Sequence, residues 1–446
     1  MITLIKNQKN QLLRFFDIVF ILIGMAGLLF ISPHIISGDG ISRFEAISRL
    51  LTRGELSETP YSMVGSIFSI PLFFLGTFYK TPEWWVSKYN YILFAIGLLL
   101  IYRILVNNID NGMLRKFLLI LIFASMIPHH QMEYYGEIFS VVLVGVGLLA
   151  INYGYPLMGW VSIILGVINT PASVIGLGFV VCAEMLKRKK LRYIVVLVVT
   201  IGLILSESWI RRGGPFITGY EDNAGFPTIL PYSGRPGFSY PIFLGLISVL
   251  FSFGKGIIWF SPGILLPVKR NMNNVTDKVY GSYQLWIYFS IGLVLVYSMW
   301  WSWYGGWFWG PRFFLFASLP ASLALTVNLY SKRISIVSNL ILFVVLTWSF
   351  WVGINGLIFG NRNLEICLNK KYALEALCWY VPEFSVLFRP FVVLKQLGKA
   401  DVAFIILYMM VFFYIAMPVL YKLTSSIIQQ GKVVNTSYFN IGKWGI

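Results

Sequence analysis

Apolar runs of about 20 residues recur along the chain, separated by short clusters of charge. The first, Phe15 to Ile36, follows Lys6, Lys9 and Arg14. It exceeds the roughly 7 to 15 apolar residues of a signal peptide and lacks a small-residue cleavage site, so it reads as an uncleaved first helix. Further runs occupy 61–79, 89–106, 117–128, 138–153, 158–186, 193–210, 242–253, 257–268, 285–303, 313–330, 334–358 and 402–421. Two are expected to stay shallow. Pro71 interrupts 61–79, which Lys80, Pro82 and Glu83 close, and this segment reads as amphipathic or re-entrant; 242–253 is the other. The run 158–186 is too long for one span and too short for two. Its break at Asn169-Thr170-Pro171 suits two shortened helices meeting at a polar kink, tolerated only where protein or a wet cavity surrounds it.

The basic clusters set orientation. Lys187-Arg188-Lys189-Lys190-Leu191-Arg192, the N-terminal basic set, and Arg103, Arg115 and Lys116 mark the cytoplasmic side. Lys269-Arg270 and Lys332-Arg333 mark it again further along. An even number of crossings between inside markers then gives about twelve in all, with both termini cytoplasmic. The expected fold is therefore all-α: one transmembrane domain over 1–446, a polytopic helical bundle with interfacial helices in its first outer loop. The large loops at 37–90, 211–256 and 359–401 would face outward. Cys367 and Cys378 share the third, where an oxidising compartment would allow them to pair. No internal repeat or inverted duplication is visible, which disfavours the common transporter folds.

Composition agrees with the pattern. At 57% apolar, 12% charged and a mean hydropathy of +0.75, the chain is no soluble domain. A net charge of +17 would suggest nucleic acid in a soluble protein. Here much of it sits between apolar runs, so the expected partner is the lipid bilayer and nucleic acid is not.

The outward loops carry the candidate chemistry. In ISGDGISRFEAISRLLTRGEL, residues 36–56, Asp39 lies between two glycines that let the backbone turn sharply and hold a carboxylate at the surface, or it simply caps the helix that follows. Phe44, Ile47, Leu50 and Leu51 recur at helical spacing, with Arg43, Glu45, Arg49 and Arg53 expected mostly on the other faces. In PHHQMEYYGEIF, residues 128–139, one helical face would carry His129, Glu133 and Glu137. A His-containing metal site is conceivable there, although no H-E-x-x-H pattern exists. Glu137 opens an apolar run, and a charge at that depth is costly and usually functional. The loop 207–241 is rich in glycine and proline and sets Arg211, Arg212 and Arg235 around Tyr220, Glu221 and Asp222, with Lys255 interrupting the next apolar segment. Finally, WWSWYGGWFWGPRFFLF, residues 300–316, is more than an aromatic belt. Gly-Gly and Gly-Pro permit close approach, and Arg312 would present a guanidinium at a helix N-terminus, where an anion gains the fork and free N–H groups together.

These elements, S-G-D-G at 37–40, Glu137 between the third and fourth helices, G-Y-E-D-N-A-G-F at 219–226 leading to F-G-K-G-I-I-W-F-S-P at 253–262, and W-Y-G-G-W-F-W-G-P-R at 303–312, resemble the GT-C superfamily. That superfamily comprises polytopic glycosyltransferases using polyprenyl-phosphate sugars, such as protein O-mannosyltransferases and aminoarabinose transferases. The topological resemblance covers nearly the whole chain, while the motifs themselves are short. It implies a GT-C-like bundle and an inverting transfer of a monosaccharide from a polyprenyl-phosphate-linked donor to an extracytoplasmic glycan, lipid or protein hydroxyl. Asp39 would be the general base and Glu137 a second catalytic carboxylate. Arg312 and Lys255, with Arg235 and Arg43 in reserve, would hold the donor phosphate. Tyr220, Glu221, Asp222, Trp303 and Trp309 would contact sugar or acceptor. No cofactor is certain, and a divalent cation is left open. The competing readings are a transporter or flippase for a lipid-linked or anionic substrate, and a polysaccharide polymerase or ligase; the concentration of charge in the outer loops favours the transferase over the first.

Overall fold

Long apolar runs have no partner for their backbone groups except themselves, and they fold as helices wherever proline and glycine permit. The computed structural model describes residues 2–221, 227–230, 233–268, 276–331, 335–364, 366–367, 372–393 and 396–441. Among these, seven helices are long and apolar enough to cross a membrane: Gln11–Phe30, Pro82–Leu105, Leu191–Arg212, Asp277–Ser298, Arg312–Leu329, Ile336–Ile358 and Lys399–Ser425. The protein is thus an all-helical integral membrane protein. Four shorter apolar helices, Val64–Phe78, Glu137–Asn152, Pro156–Asn169 and Ile242–Phe251, complete the apolar set. Among the described residues there is no β-strand, only an isolated parallel bridge between Ile35 and Glu133. Asp222, Lys269-Arg270 and Lys332-Arg333 lie outside the described residues.

Several expected boundaries move for local reasons. The segment 257–268, expected to cross as a helix, is a single α-turn, Ile257–Phe260, and a 3₁₀ turn, Pro262–Leu265. Pro262 cannot donate the amide that would continue the first turn into a longer helix. The run 117–128 begins earlier, as Asn111–Phe123, because the Asp110 carboxylate accepts from the Met113 amide and caps it. The run 285–303 becomes Asp277–Ser298. The kink at Asn169-Thr170-Pro171 is present, with Pro156–Asn169 on one side and Val174–Arg188 on the other.

Glu137–Asn152 and Pro156–Asn169 form a tight antiparallel hairpin. A methyl group on Gly147 would sit 2.6 Å from the Gly159 carbonyl, and one on Gly159 would sit 2.7 Å from the Gly147 carbonyl, so only glycine allows this approach. The helix Arg312–Leu329 lies in the centre of the molecule and is 89% buried. At one end of the bundle, buried Asp17 of the first helix accepts from Arg115 at 2.9 Å, Lys116 at 2.7 Å and the Tyr414 hydroxyl at 2.9 Å. Three helices are tied together there by a carboxylate with its charge compensated, the condition under which an ion survives in such surroundings.

Candidate active site

At the other end, three chain segments converge. The chain leaving the first helix pairs with 132–134: the Ile35 amide donates to the Met132 carbonyl at 2.9 Å, and the Tyr134 amide donates to the Ile35 carbonyl at 3.3 Å. Gly38 then turns at φ +49°, a conformation natural to glycine, and serves as N-cap of the helix Asp39–Arg53. Asp39 is therefore the first helical residue, where the exposed amides favour a negative charge. Glu137 holds the same position on its own helix. Between these two N-termini lies Arg312. Its Nη1 is 2.7 Å from Asp39 Oδ2, and its Nε is 3.6 Å from Glu137 Oε1. Neither contact has aligned hydrogen-bond geometry, so the guanidinium is neutralised without its fork being used up. The Arg312 side chain is 8% exposed, against 18% for Asp39 and 17% for Glu137, so the carboxylates are the reachable members.

The loop 299–311 presents that arginine. Gly305, Gly306 and Gly310 all adopt positive φ, +74°, +81° and +67°, which explains the glycines among the tryptophans. Lys255, expected as a phosphate ligand, is instead the brace of this loop. It is 1% exposed, and its ammonium donates to the carbonyls of Gly306 at 3.1 Å, Phe308 at 2.6 Å and Gly310 at 2.9 Å. All three protons are committed to backbone, leaving none for a ligand. Trp303 and Trp309, expected to stack on sugar, are fully buried. Trp303 packs among Tyr240, Tyr304 and Tyr380, while Trp309 donates its indole N–H to Asn355 at 2.8 Å and its amide to Asn361. Burial of their ring area makes both core residues rather than contact surfaces.

Arg43 also departs from expectation. Rather than facing out, it is buried, donating from Nη1 to the Ser62 carbonyl at 3.0 Å and approaching Asn169 Oδ1 at 3.5 Å. Its guanidinium lies over the Tyr61 ring at 5.2 Å and against Gly136, so it flanks Glu137. Asn169 at the kink is fully engaged. Its amide donates to the Gly136 carbonyl at 2.8 Å and Ser140 Oγ at 3.0 Å, and its oxygen accepts from the Gly65 amide at 3.1 Å.

Tyr220 belongs to the centre. It meets Tyr61 edge-on at 6.3 Å and Trp300 at 5.4 Å, and burial together with the Asp39 charge pushes its phenol up to about 12. Glu221 does not join it. That side chain is exposed and closes its own turn by accepting from the Thr218 amide and hydroxyl at 2.6 and 3.0 Å. Arg235 is exposed on the same loop. His129, Glu133 and Glu137 do not share a helical face: His129 ends the short turn Ile127–His130, Glu133 sits in the bridge, and Glu137 starts the next helix. His129 is buried and its Nδ1 is engaged by the Gly356 carbonyl at 2.8 Å. Among the described residues, no three His, Cys, Asp or Glu side chains gather as a metal cluster. Cys367 and Cys378 are disulfide-bonded.

Two residues were not singled out from the sequence. Tyr61 places its hydroxyl on Asp39, and nothing in P-Y-S marks it in advance. Asn361 links the Arg312 loop to Glu133, whose Oε1 accepts from its amide at 3.2 Å. Burial raises the Asp39 carboxyl, but the charge of Arg312, the Tyr61 hydroxyl and the charge of Arg43 outweigh it and hold the group below the usual carboxylate range. A cavity of about 30 Å³ adjoins the site, lined by Glu137, Ser140, Thr170, Ser173 and Arg312 on its polar side and by Phe289, Phe313 and Phe316 on the other. That is room for about one water. No protein-family model, no curated protein and no solved structure matches this chain.

Proposed function

We propose that the chain is an inverting glycosyltransferase of GT-C type, moving a monosaccharide from a polyprenyl phosphate onto a hydroxyl outside the cytoplasm. The observation that carries this reading is the Arg312 guanidinium held between Asp39 and Glu137 at two helix N-termini. In this reading Asn111–Phe123, Glu137–Asn152, Pro156–Asn169, Val174–Arg188 and the turns at 257–268 add crossings to the seven long helices, giving about twelve with both termini cytoplasmic, while Val64–Phe78 and Ile242–Phe251 stay shallow. The extended arrangement brings donor, acceptor and base together at the outer surface.

The resting pair defines how the chemistry starts. With Arg312 at 2.7 Å, Asp39 is ionised but a weak base. A donor phosphate competes for the same guanidinium. As Arg312 turns to the phosphate, Asp39 loses its counter-charge and becomes more basic, so the base is armed only when the donor is bound. Asp39 then takes the acceptor's hydroxyl proton as that oxygen attacks the anomeric carbon. The bond from that carbon to the phosphate oxygen breaks, and the electron pair leaves on the phosphate, which Arg312 stabilises. Glu137 keeps the guanidinium from leaving the site. Tyr220 and Tyr61 border the acceptor side.

Purified protein should release polyprenyl phosphate from a polyprenyl-phosphate sugar in the presence of acceptor. Arg312→Ala should lower kcat by roughly 10²-fold or more, the scale of losing one electrostatic donor to a leaving oxyanion. Equal rates at saturating donor for the native and Ala proteins would remove Arg312 from the reaction.

A further inference from the structure

A third carboxylate stands behind the pair and has no part in the scheme above. Glu133 is 4% exposed and lies where the Asp39 segment, the Glu137 segment and the Arg312 loop cross. Its Oε1 accepts from Asn361 Nδ2 at 3.2 Å, and the Asn361 oxygen accepts the amide of Trp309, three residues before Arg312. Its Oε2 makes no aligned hydrogen bond. The hydroxyl of Tyr135 acts on the same carboxyl and also meets Ser37 Oγ at 3.2 Å, two residues before Asp39. The Tyr135 ring, in turn, is one of three aromatic faces against Arg312, with the guanidinium carbon 5.3 Å from its centre. Asn90 fixes the backbone here, donating to the carbonyls of Glu133 at 2.6 Å and Tyr135 at 2.9 Å.

We infer that Glu133 is a positioning residue for the Asp39–Arg312 pair, holding the Arg312 loop through Asn361 and the ring under the guanidinium through Tyr135. The inference rests on the transferase reading for its kinetic arm only. Burial raises the Glu133 carboxyl, Asp39 adding to this and Tyr135, Arg312 and Asn361 opposing it. The carboxyl serves the two contacts with its two oxygens, accepting from Asn361 on one side and meeting the Tyr135 hydroxyl on the other. Glutamine can reproduce that pattern, whereas alanine cannot.

The test compares native protein, Glu133→Gln and Glu133→Ala, full-length in lipid nanodiscs and matched for thermal stability. Two readouts are taken: sugar transfer at pH 7, and binding of farnesyl phosphate followed by tryptophan fluorescence. Glu133→Ala should lower kcat at least tenfold with donor KM changed less than threefold, and Glu133→Gln should recover to within threefold of native. Native transfer at Glu133→Ala, or a Gln variant no better than Ala, overturns the inference. If the native protein transfers no sugar, the transferase reading fails and farnesyl phosphate binding becomes the deciding arm. There, tenfold weaker binding in Ala restored in Gln supports positioning, and equal binding in all three overturns it. If Ala fails to fold, Glu133→Met, which keeps the volume and loses both contacts, takes its place: a tenfold lower kcat supports positioning and native transfer overturns it.

Discussion

Lys255→Met isolates the support of the site from its chemistry. Methionine keeps most of the apolar stem and removes the ammonium, whose three protons go to the carbonyls of Gly306, Phe308 and Gly310. Hydrogen bonds from a charged donor contribute about 1.5–3 kcal/mol each, so the gross loss is roughly 4–9 kcal/mol. The native state no longer has to desolvate a buried ion, a penalty of several kcal/mol that offsets part of this. A net cost of about 3–5 kcal/mol remains, comparable with breaking a buried ion pair from one side. The loss falls on a loop whose three glycines already give it little intrinsic preference for this conformation. Arg312 is 7% exposed behind that loop. Limited trypsin digestion of the purified variant should therefore cut after Arg312 where the native protein resists, together with a lower melting temperature. A variant that melts with the native protein and resists cleavage would refute the brace.

Tyr61→Phe removes the hydroxyl that stabilises the ionised Asp39. Because Asp39 is held below its ordinary range, the ionised form persists above that range and is lost as pH falls through the lowered folded value. Its contribution to stability follows the same sign, present above the unfolded pKa of about 3.9 and lost in acid. The variant should move the acid limb of a rate–pH profile to higher pH by roughly 1 unit, given about 1.5 kcal/mol for a hydrogen bond to charge; an unmoved limb contradicts the contact. Asn169→Ala strands the Gly65 amide and the Gly136 carbonyl, at about 1–3 kcal/mol each. Its melting temperature should fall by several degrees, and a native melt would show the kink is held otherwise.

The class of the fold was legible because hydropathy is a direct physical requirement of the bilayer: the long helices follow the apolar runs. The segment 257–268 was misread because its hydropathy is high while Pro262 and the close-packed Gly263 dictate turns. Asp39, Glu137 and Arg312 stood out from their neighbours, an acid between glycines, an acid at a span's start and an arginine among tryptophans, and the three meet. Lys255 was visible as an anomaly, but its role was not, since three carbonyl acceptors leave no mark on the sequence. Arg43 sat in a helix whose polar positions suggested solvent, yet Tyr61, Ser62, Gly136 and the terminal Asn169 of the kinked helix close over its guanidinium. The tryptophans read equally well as belt, ligand surface or core, and only tertiary packing separates these for an aromatic side chain. Glu133 looked like the middle of one helical face because the break at Gln131 to Gly136 has no proline to announce it.

The central claim is that Asp39 is the base of a glycosyl transfer. Mass spectrometry of lipid-linked and surface glycans should compare cells without the protein, with the native chain, and with Asp39→Asn at matched membrane levels. The native chain should add one sugar residue to a defined glycan, lipid or protein, and the Asn variant, losing roughly 10²–10⁴-fold in rate, should lack it. Identical spectra with and without the native chain would contradict the transfer, and a sugar restored fully by Asp39→Asn would contradict its base.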